Sequence, residues 1–121
     1  MRGDIINNSQ ILKGLLEGCI LKLIEREETY GYKICEDLLK GGYKKINEGT
    51  IYPILIRLEK KGLINSTKRK SPLGPTRKYF NISNRGKEYL KSFESEWNEI
   101  KRTVDKFVNG EGGKNSEGEN E

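Results

Sequence analysis

Residues 47–64, NEGTIYPILIRLEKKGLI, decide the fold of this chain of 121 residues. Asn47 is a candidate N-cap, because its side chain can accept a hydrogen bond from a backbone amide at the start of a helix. Pro53 lacks the N–H that an interior position donates, so either Thr50 is the true cap or the helix is kinked near its start. Gly62 is a typical helix stop. Apolar residues at helical spacing predict the buried face of this helix: Ile51, Ile54, Leu55 and Leu58.

Two helices are predicted before this segment. The first extends from about Ser9 to Arg26 and carries a wide apolar stripe, which consists of Ile11, Leu12, Leu15, Leu16, Cys19, Ile20, Leu23 and Ile24. The second opens at residues 30–32 and ends at the glycine pair 41–42. Its inward residues are predicted to be Ile34, Cys35, Leu38 and Leu39.

A hairpin and a last helix are predicted after it. Residues 63–68 and 78–83 are predicted strands, joined by the turn sequence SPLGP at 71–75. The last helix begins after a cap at Ser83 or Asn84. Its apolar residues alternate steps of three and four, which predicts a heptad seam suited to a partner helix. The seam consists of Leu90, Phe93, Trp97, Ile100, Val104 and Phe107.

The composition narrows the possible functions. The chain has no histidine, which removes Ser-His and Cys-His nucleophilic pairs and His-ligated metal sites. Cys19 and Cys35 are too few for a thiolate zinc site and are expected to be buried thiols, so no metal and no cofactor is expected. Without an apolar signal core or a span of about 20 uncharged residues, we expect a cytoplasmic protein with no membrane partner.

The net charge of +5 is unevenly distributed. Residues 57–91 hold eleven basic and two acidic side chains, whereas the 56 residues before them hold eight of each. This stripe fits a polyanion such as nucleic acid. Charge alone leaves open a solvated surface without a partner. A membrane surface fits less well, since the stripe lacks interleaved Trp, Phe and Leu.

Three helices followed by a basic hairpin are the element order of a winged helix-turn-helix. The predicted fold class is therefore mainly α with a small β-hairpin, a winged helix-turn-helix plus a C-terminal dimerisation helix. Three segments resemble the motifs of the PadR-type transcriptional regulators: YGYKICEDL (30–38), NEGTIYPILIRLEKKGLI (47–64) and GPTRKYFNISNRGKEYL (74–90). The resemblance covers roughly residues 10–108. The single helix after the hairpin is similar to that of the short C-terminal members, which the resemblance implies dimerise through this helix and the first one.

The third helix is predicted to read DNA. Thr50, Tyr52 and Arg57 are the predicted readers, since a hydroxyl can bond a base edge or phosphate and an arginine can engage guanine. Pro53 offers only apolar contact, such as a thymine methyl, and Lys61 lies on the same outer side. The alternative for Tyr52 is a half-buried aromatic packed on the second helix.

Further residues are predicted to hold phosphates. Tyr32 and Lys33 lie at the start of the second helix, where backbone amides and a cation attract anions. The hairpin cations neutralise phosphates without reading sequence, and they are Lys68, Arg69, Lys70, Arg77 and Lys78.

The seam has two interpretations. In a symmetric homodimer, two copies of Trp97 could approach each other and simply fill the interface. In some relatives to which the resemblance points, a tryptophan at this place lines a cavity that binds flat aromatic compounds. The effector or dimer interface is therefore predicted to be the whole seam, with a small aromatic ligand as a possible partner.

The leading hypothesis is a dimeric, sequence-specific repressor that binds a palindromic operator in double-stranded DNA and is released by a small aromatic effector. A winged-helix adaptor between proteins is the alternative, and it would show no salt-dependent DNA binding. An enzyme is not expected, because the Glu27-Glu28 pair lies in a polar bend without pocket-forming residues. The predicted domains are 1–83 for DNA binding, 84–109 for dimerisation and 110–121 as a disordered acidic tail.

Overall fold

The structure, a computed structural model, describes residues 10–110. Ser9 and the predicted tail beyond Gly110 lie outside the described residues. The elements in chain order are α1 (Gln10–Arg26), β1 (Thr29–Tyr30), α2 (Gly31–Lys40), α3 (Glu48–Lys60), β2 (Ile64–Lys70), β3 (Thr76–Ile82) and α4 (Asn84–Asn109). The predicted fold class, mainly α with a small antiparallel sheet, is confirmed.

The chain divides into two compact units, residues 1–90 and 91–121. The described part of the first unit contains α1, α2, α3, the sheet and the first turns of α4. Its core is formed by side chains from every helix and from the hairpin, the largest fully buried ones being Phe80, Ile20, Leu21, Ile24, Ile34, Ile51, Leu55, Leu58, Ile64 and Leu90. The described part of the second unit is the remainder of α4 and Gly110.

The sheet has three strands in the order β1-β3-β2, all antiparallel to their neighbours. The strand β1 is not among the predicted elements; in it, Thr29 and Tyr30 pair with Phe80 and Tyr79. The hairpin ladder also extends further toward the turn than predicted, to the pair Lys70 and Thr76. Backbone hydrogen bonds continue the ladder there although the side chains are polar and exposed.

The helices α3 and α4 both have well-defined N-caps. Asn47 caps α3: its Oδ1 accepts from the Thr50 backbone N–H at 3.1 Å, and its own N–H donates to Thr50 Oγ1 at 3.3 Å. The prediction that Asn47 is the N-cap is therefore confirmed. Thr50 is not the cap but the third helical residue of a capping box. The helix runs on through Pro53. Ser83 caps α4, because its Oγ accepts from the Gly86 N–H at 2.9 Å.

Two details of the predicted helix faces were wrong. Leu39 was predicted to face inward but is 44% exposed. Leu38 beside it points into the core, and the next residue of a helix is rotated by about 100°, which turns Leu39 away from the core. On α1, Ile11 is 74% exposed while Leu21, outside the predicted stripe, is fully buried. The predicted core face of α3 is confirmed, since all four of its apolar residues are buried.

Candidate nucleic-acid interface

The outer side of α3 carries a single stripe of exposed residues. At about 100° per residue, the positions opposite the buried face are spaced by four, three and four. They are Gly49, Pro53, Ile56 and Lys60, and all four are exposed. We call this set the outer stripe. Of its members, only Pro53 is among the predicted DNA contacts.

Tyr52 flanks the outer stripe on the side of α2. It is 41% exposed, and a Cβ added to Gly31 would lie 2.9 Å from both Cζ and Oη of its ring. The ring therefore packs on the first residue of α2, as the alternative interpretation of Tyr52 proposed. Tyr32 next to this contact is 59% exposed. Lys33 donates to Asp37 at 3.0 Å, and this hydrogen bond and the Asp37 charge raise the pKa of Lys33.

Arg57 flanks the outer stripe on the opposite side, toward α1. Its Nε and Nη2 donate to Glu17 Oε2 at 3.2 and 3.1 Å. The Glu17 side chain is only 13% exposed, whereas that of Arg57 is 49% exposed. Tyr89 donates from its hydroxyl to the other oxygen of Glu17 at 3.3 Å. The predicted base contact of Arg57 would therefore require this ion pair to break.

Two other predicted residues of α3 lie on the flank of Arg57. Thr50 is half-buried and its hydroxyl takes part in the capping box with Asn47. Lys61 is the C-cap residue and is exposed. The structure thus places Thr50 and Lys61 at the two ends of α3, beside the outer stripe rather than on it.

One face of the hairpin carries lysines. Lys68 and Lys78 are paired across β2 and β3, and Lys70 follows two residues along β2 on the same face. Lys78 donates to Glu59 Oε1 at 3.2 Å, and the Ser66 hydroxyl donates to Glu59 Oε2 at 2.6 Å. Glu59 therefore ties α3 to both strands of the hairpin.

The Ser66 hydrogen bond, followed by the hydrogen bond and charge of Lys78, lowers the pKa of Glu59 although partial burial acts in the other direction. Among the described residues neither Lys68 nor Lys70 makes an ion pair. These two exposed lysines are therefore available to an external anion.

The other face of the hairpin carries arginines stacked on tyrosines. Arg77 lies over the Tyr30 ring at 4.1 Å, and Arg69 lies over the Tyr79 ring at 5.0 Å. The two rings meet edge to face at 5.2 Å. Arg69 also pairs with Glu28 at 2.6 Å. The five predicted hairpin cations thus fall on two faces, and both arginines already have partners within the chain.

The predicted seam residues are divided between the two units. Leu90 is 1% exposed and belongs to the core of the first unit, so its assignment to an exposed seam was wrong. The remaining members lie on the α4 segment of the second unit. Phe93 is half-buried, and the others are exposed: Trp97 38%, Ile100 52%, Val104 50% and Phe107 86%. Val108, which was not predicted, is 72% exposed.

The thiols and carboxylates of the described region form no metal site. Residues 10–110 contain no group of three Cys, Asp or Glu side chains that could hold a metal ion. Cys35 is buried, which raises the pKa of its thiol, and Cys19 is half-buried with its Sγ 3.4 Å from the Tyr43 hydroxyl. No helix in the same range is long and apolar enough to span a membrane.

Three residues of the outer stripe could have been found from the sequence. Gly49, Ile56 and Lys60 are opposite the correctly predicted core face, so the helical period alone would have located them. The Tyr30 and Tyr79 stacking carried no such signal, because it depends on β1, a strand of two residues. The ion pair of Glu17 and Arg57 carried no such signal either, because the two residues are 40 positions apart in the sequence.

The exposed outer stripe next to a basic hairpin is the geometry of a winged helix-turn-helix. The family model described as the transcriptional regulator PadR-like family matches residues 20–92, which include α2, α3 and both hairpin strands. The chain belongs to the PadR-like family of transcriptional regulators. This membership makes it a DNA-binding regulator, as the motifs of residues 30–38, 47–64 and 74–90 predicted.

Solved structures and a protein sequence agree with the PadR-like assignment. A PadR-like transcriptional regulator from Bacillus cereus is 46% identical with a TM-score of 0.76, over 84% of this chain and 99% of that chain. A Streptococcus transcriptional regulator is 41% identical with a TM-score of 0.77, over 84% and 100% of the two chains. An uncharacterized protein of Lysinibacillus sphaericus is 36% identical over 84% of this chain and 95% of its own length.

Proposed function

We propose that this PadR-like regulator is a homodimeric repressor that binds a palindromic operator and leaves it when a small aromatic effector binds. In this proposal residues 1–83 bind DNA, residues 84–109 dimerise, and residues 110–121 form an acidic tail. The observation that carries the proposal is the continuous outer stripe of α3, which no other described element covers, beside the exposed lysines of the hairpin.

On DNA, α3 would enter the major groove with its outer stripe toward the base edges. Lys68 and Lys70 would contact phosphates from the hairpin, and Tyr32 at the start of α2 is exposed for the same purpose. Lys78 would have to share its ammonium with Glu59, and the two stacked arginines would contribute mainly through long-range charge. These contacts supply affinity that falls with salt but carry no sequence information.

Dimerisation is supported by the apolar side chains of the second unit. Ile100, Val104 and Phe107 share one face of α4 and are at least half exposed. Contiguous apolar surface of this kind marks an interaction site on a protein. Burial against the same helix of a second copy would cover it by a two-fold arrangement.

The effector is proposed to bind beside Trp97. This side chain is 38% exposed on the proposed dimer face, and Lys101 lies over its ring at 5.6 Å. A flat aromatic ligand could stack on the indole between two copies of α4. An anionic aromatic ligand would in addition meet the Lys101 ammonium.

Selection of bound sequences from random double-stranded DNA tests the proposal. The expected result is a palindrome whose half-sites are spaced by about one helical turn, roughly 34–36 Å, or a multiple of it. Binding of the selected sequence should weaken steeply as salt rises. Recovery of no preferred sequence, together with salt-independent or absent DNA binding, would instead support the adaptor hypothesis.

A further inference from the structure

The centre of the outer stripe is an isoleucine. Ile56 is 55% exposed, whereas Ile54 and Leu55 beside it in sequence are 6% and 1% exposed. Its neighbours on the stripe, Pro53 and Lys60, are exposed as well. The part of α3 that would face base edges therefore presents an apolar patch, Pro53 and Ile56, with a cation beyond it.

The nearest side chain that could read a base by hydrogen bonds is held elsewhere. Arg57 is bound to Glu17 through two nitrogen atoms. Moving it to a base would leave the largely buried Glu17 carboxylate without its cation, which is costly. The Tyr52 ring is likewise occupied by its packing on Gly31. Hydrogen-bonding readout from the middle of α3 is therefore disfavoured.

An apolar patch has one natural partner in the major groove, the C5 methyl group of thymine. Guanine, adenine and cytosine present donors and acceptors there, and an isoleucine that covered them would remove their water without replacing the hydrogen bonds. We infer that Ile56, with Pro53 beside it, is the specificity-determining residue that recognises a thymine methyl in each operator half-site. This inference rests on the proposed function, in which α3 enters the major groove.

The size of the patch limits what it recognises. Pro53 and Ile56 are three residues apart on one helical face, about 4.5 Å along the helix axis. This length is close to the 3.4 Å step between base pairs of one strand. The patch thus covers one thymine or two adjacent thymines, and Lys60 one turn further on is placed for a phosphate.

Deoxyuridine substitution tests the inference on the full chain. Each thymine of the selected operator is replaced singly by deoxyuridine, which removes the C5 methyl and keeps every hydrogen-bonding group. Fluorescence anisotropy measures the affinity of each duplex. At one or two positions per half-site we expect about a fourfold loss, which corresponds to about 0.8 kcal/mol for one buried methyl group.

The variant Ile56→Ala completes the experiment. Its side chain is more than half exposed, so the fold should be retained. At the sensitive positions this variant should bind thymine and deoxyuridine duplexes with equal affinity. Leu73→Ala is the matched control, because Leu73 is 99% exposed at the hairpin turn and should leave the fourfold difference unchanged.

The possible failures are distinguishable. If the wild type selects a palindrome but no deoxyuridine position weakens binding, the inference about thymine is wrong and the proposed function stands. If Ile56→Ala keeps the fourfold difference, another residue reads the methyl and the assignment to Ile56 is wrong. If the wild type selects no sequence at all, the proposed function itself fails.

Discussion

The Glu59 carboxylate on α3 accepts a hydrogen bond from the Ser66 hydroxyl on β2 at 2.6 Å. Its other oxygen accepts from Lys78 on β3 at 3.2 Å. One side chain of the proposed reading helix therefore fixes both strands of the hairpin. If α3 and the hairpin bind the same duplex, Glu59 sets their relative orientation.

Glu59→Gln is expected to change the acid stability of the fold. Because its partners lower the pKa of Glu59 below the ordinary value of 4.5, the carboxylate stabilises the fold above that pH. This stabilisation is lost as the pH falls through the lowered pKa. The pair is partly exposed, so the loss should be about 1 kcal/mol.

Denaturant unfolding of both proteins between pH 2 and pH 7 measures this effect. The difference between wild type and Glu59→Gln should be greatest near pH 7 and vanish at the acid end. A difference that stays constant over the whole pH range would show that the Glu59 charge does not stabilise the fold.

Gly86→Ala is expected to destabilise the first unit severely. A Cβ at Gly86 would overlap the Leu63 carbonyl oxygen and lie 2.7 Å from Ile82 Cγ1, so the start of α4 could no longer pack on the hairpin. Because backbone atoms cannot move aside as a side chain does, we expect a loss of about 3 kcal/mol or more.

Gly14→Ala is the matched control for Gly86→Ala. Within the described residues a Cβ at Gly14 meets nothing within 4 Å. Alanine in the middle of α1 should then raise the free energy of unfolding by about 0.5–1 kcal/mol. Thermal unfolding of both variants at one protein concentration tests the pair. Equal destabilisation would show that Gly14 also has a close neighbour, such as a second chain.

Lys68→Ala combined with Lys70→Ala is expected to reduce the salt dependence of DNA binding. Each lysine that contacts a phosphate contributes about one unit to the slope of log affinity against log salt, so the slope should fall by about two units. The sequence preference should not change, because phosphate contacts do not read bases. Lys40→Ala, at the C-terminal end of α2, is the control cation and should leave the slope unchanged. An unaltered slope in the double variant would exclude the lysine face of the hairpin from the interface.

More of the fold than of the candidate DNA interface could be predicted from the sequence. The buried face of α3 follows from periodicity, and the family follows from the three motifs. The interface depended on which exposed cations have partners inside the chain. The sequence predicts that Arg57 contacts a base, but in the structure Arg57 is paired with Glu17. Glu17 lies on another helix, so no local sequence pattern indicates this contact. Strand pairing likewise separated Arg69 and Arg77 from the hairpin lysines, because residues on one strand alternate between faces.

Leu90 illustrates the same limit on α4. Its heptad spacing is correct, yet its position at the end of the first unit gives it a place in a core rather than in a seam. Periodicity identifies which residues share a helical face. It does not identify at which residue of a long helix the apolar face stops packing in the core of its own domain.

The last prediction concerns assembly through α4. Replacing Phe93 and Ile100 with glutamate places two charges on the apolar face that the proposed dimer buries. Each charge would lose hydration without gaining a partner, which costs more than truncation to alanine. The variant should sediment as a monomer. Because a palindrome requires two copies of α3 about one helical turn apart, it should also lose high-affinity operator binding and keep weak, salt-sensitive binding to any DNA.

Ser95→Glu combined with Asn98→Glu is the matched control for this variant. It adds the same two negative charges to exposed positions on the opposite side of α4, since Ser95 lies about 200° and Asn98 about 140° around the helix from Phe93. This variant should remain a dimer, so a difference between the two isolates the effect of position from that of net charge. Sedimentation of the Phe93 and Ile100 variant as an intact dimer would refute the assigned face. Tight operator binding by a wild-type monomer would refute the dimeric mechanism, because a single α3 helix can reach only one half-site.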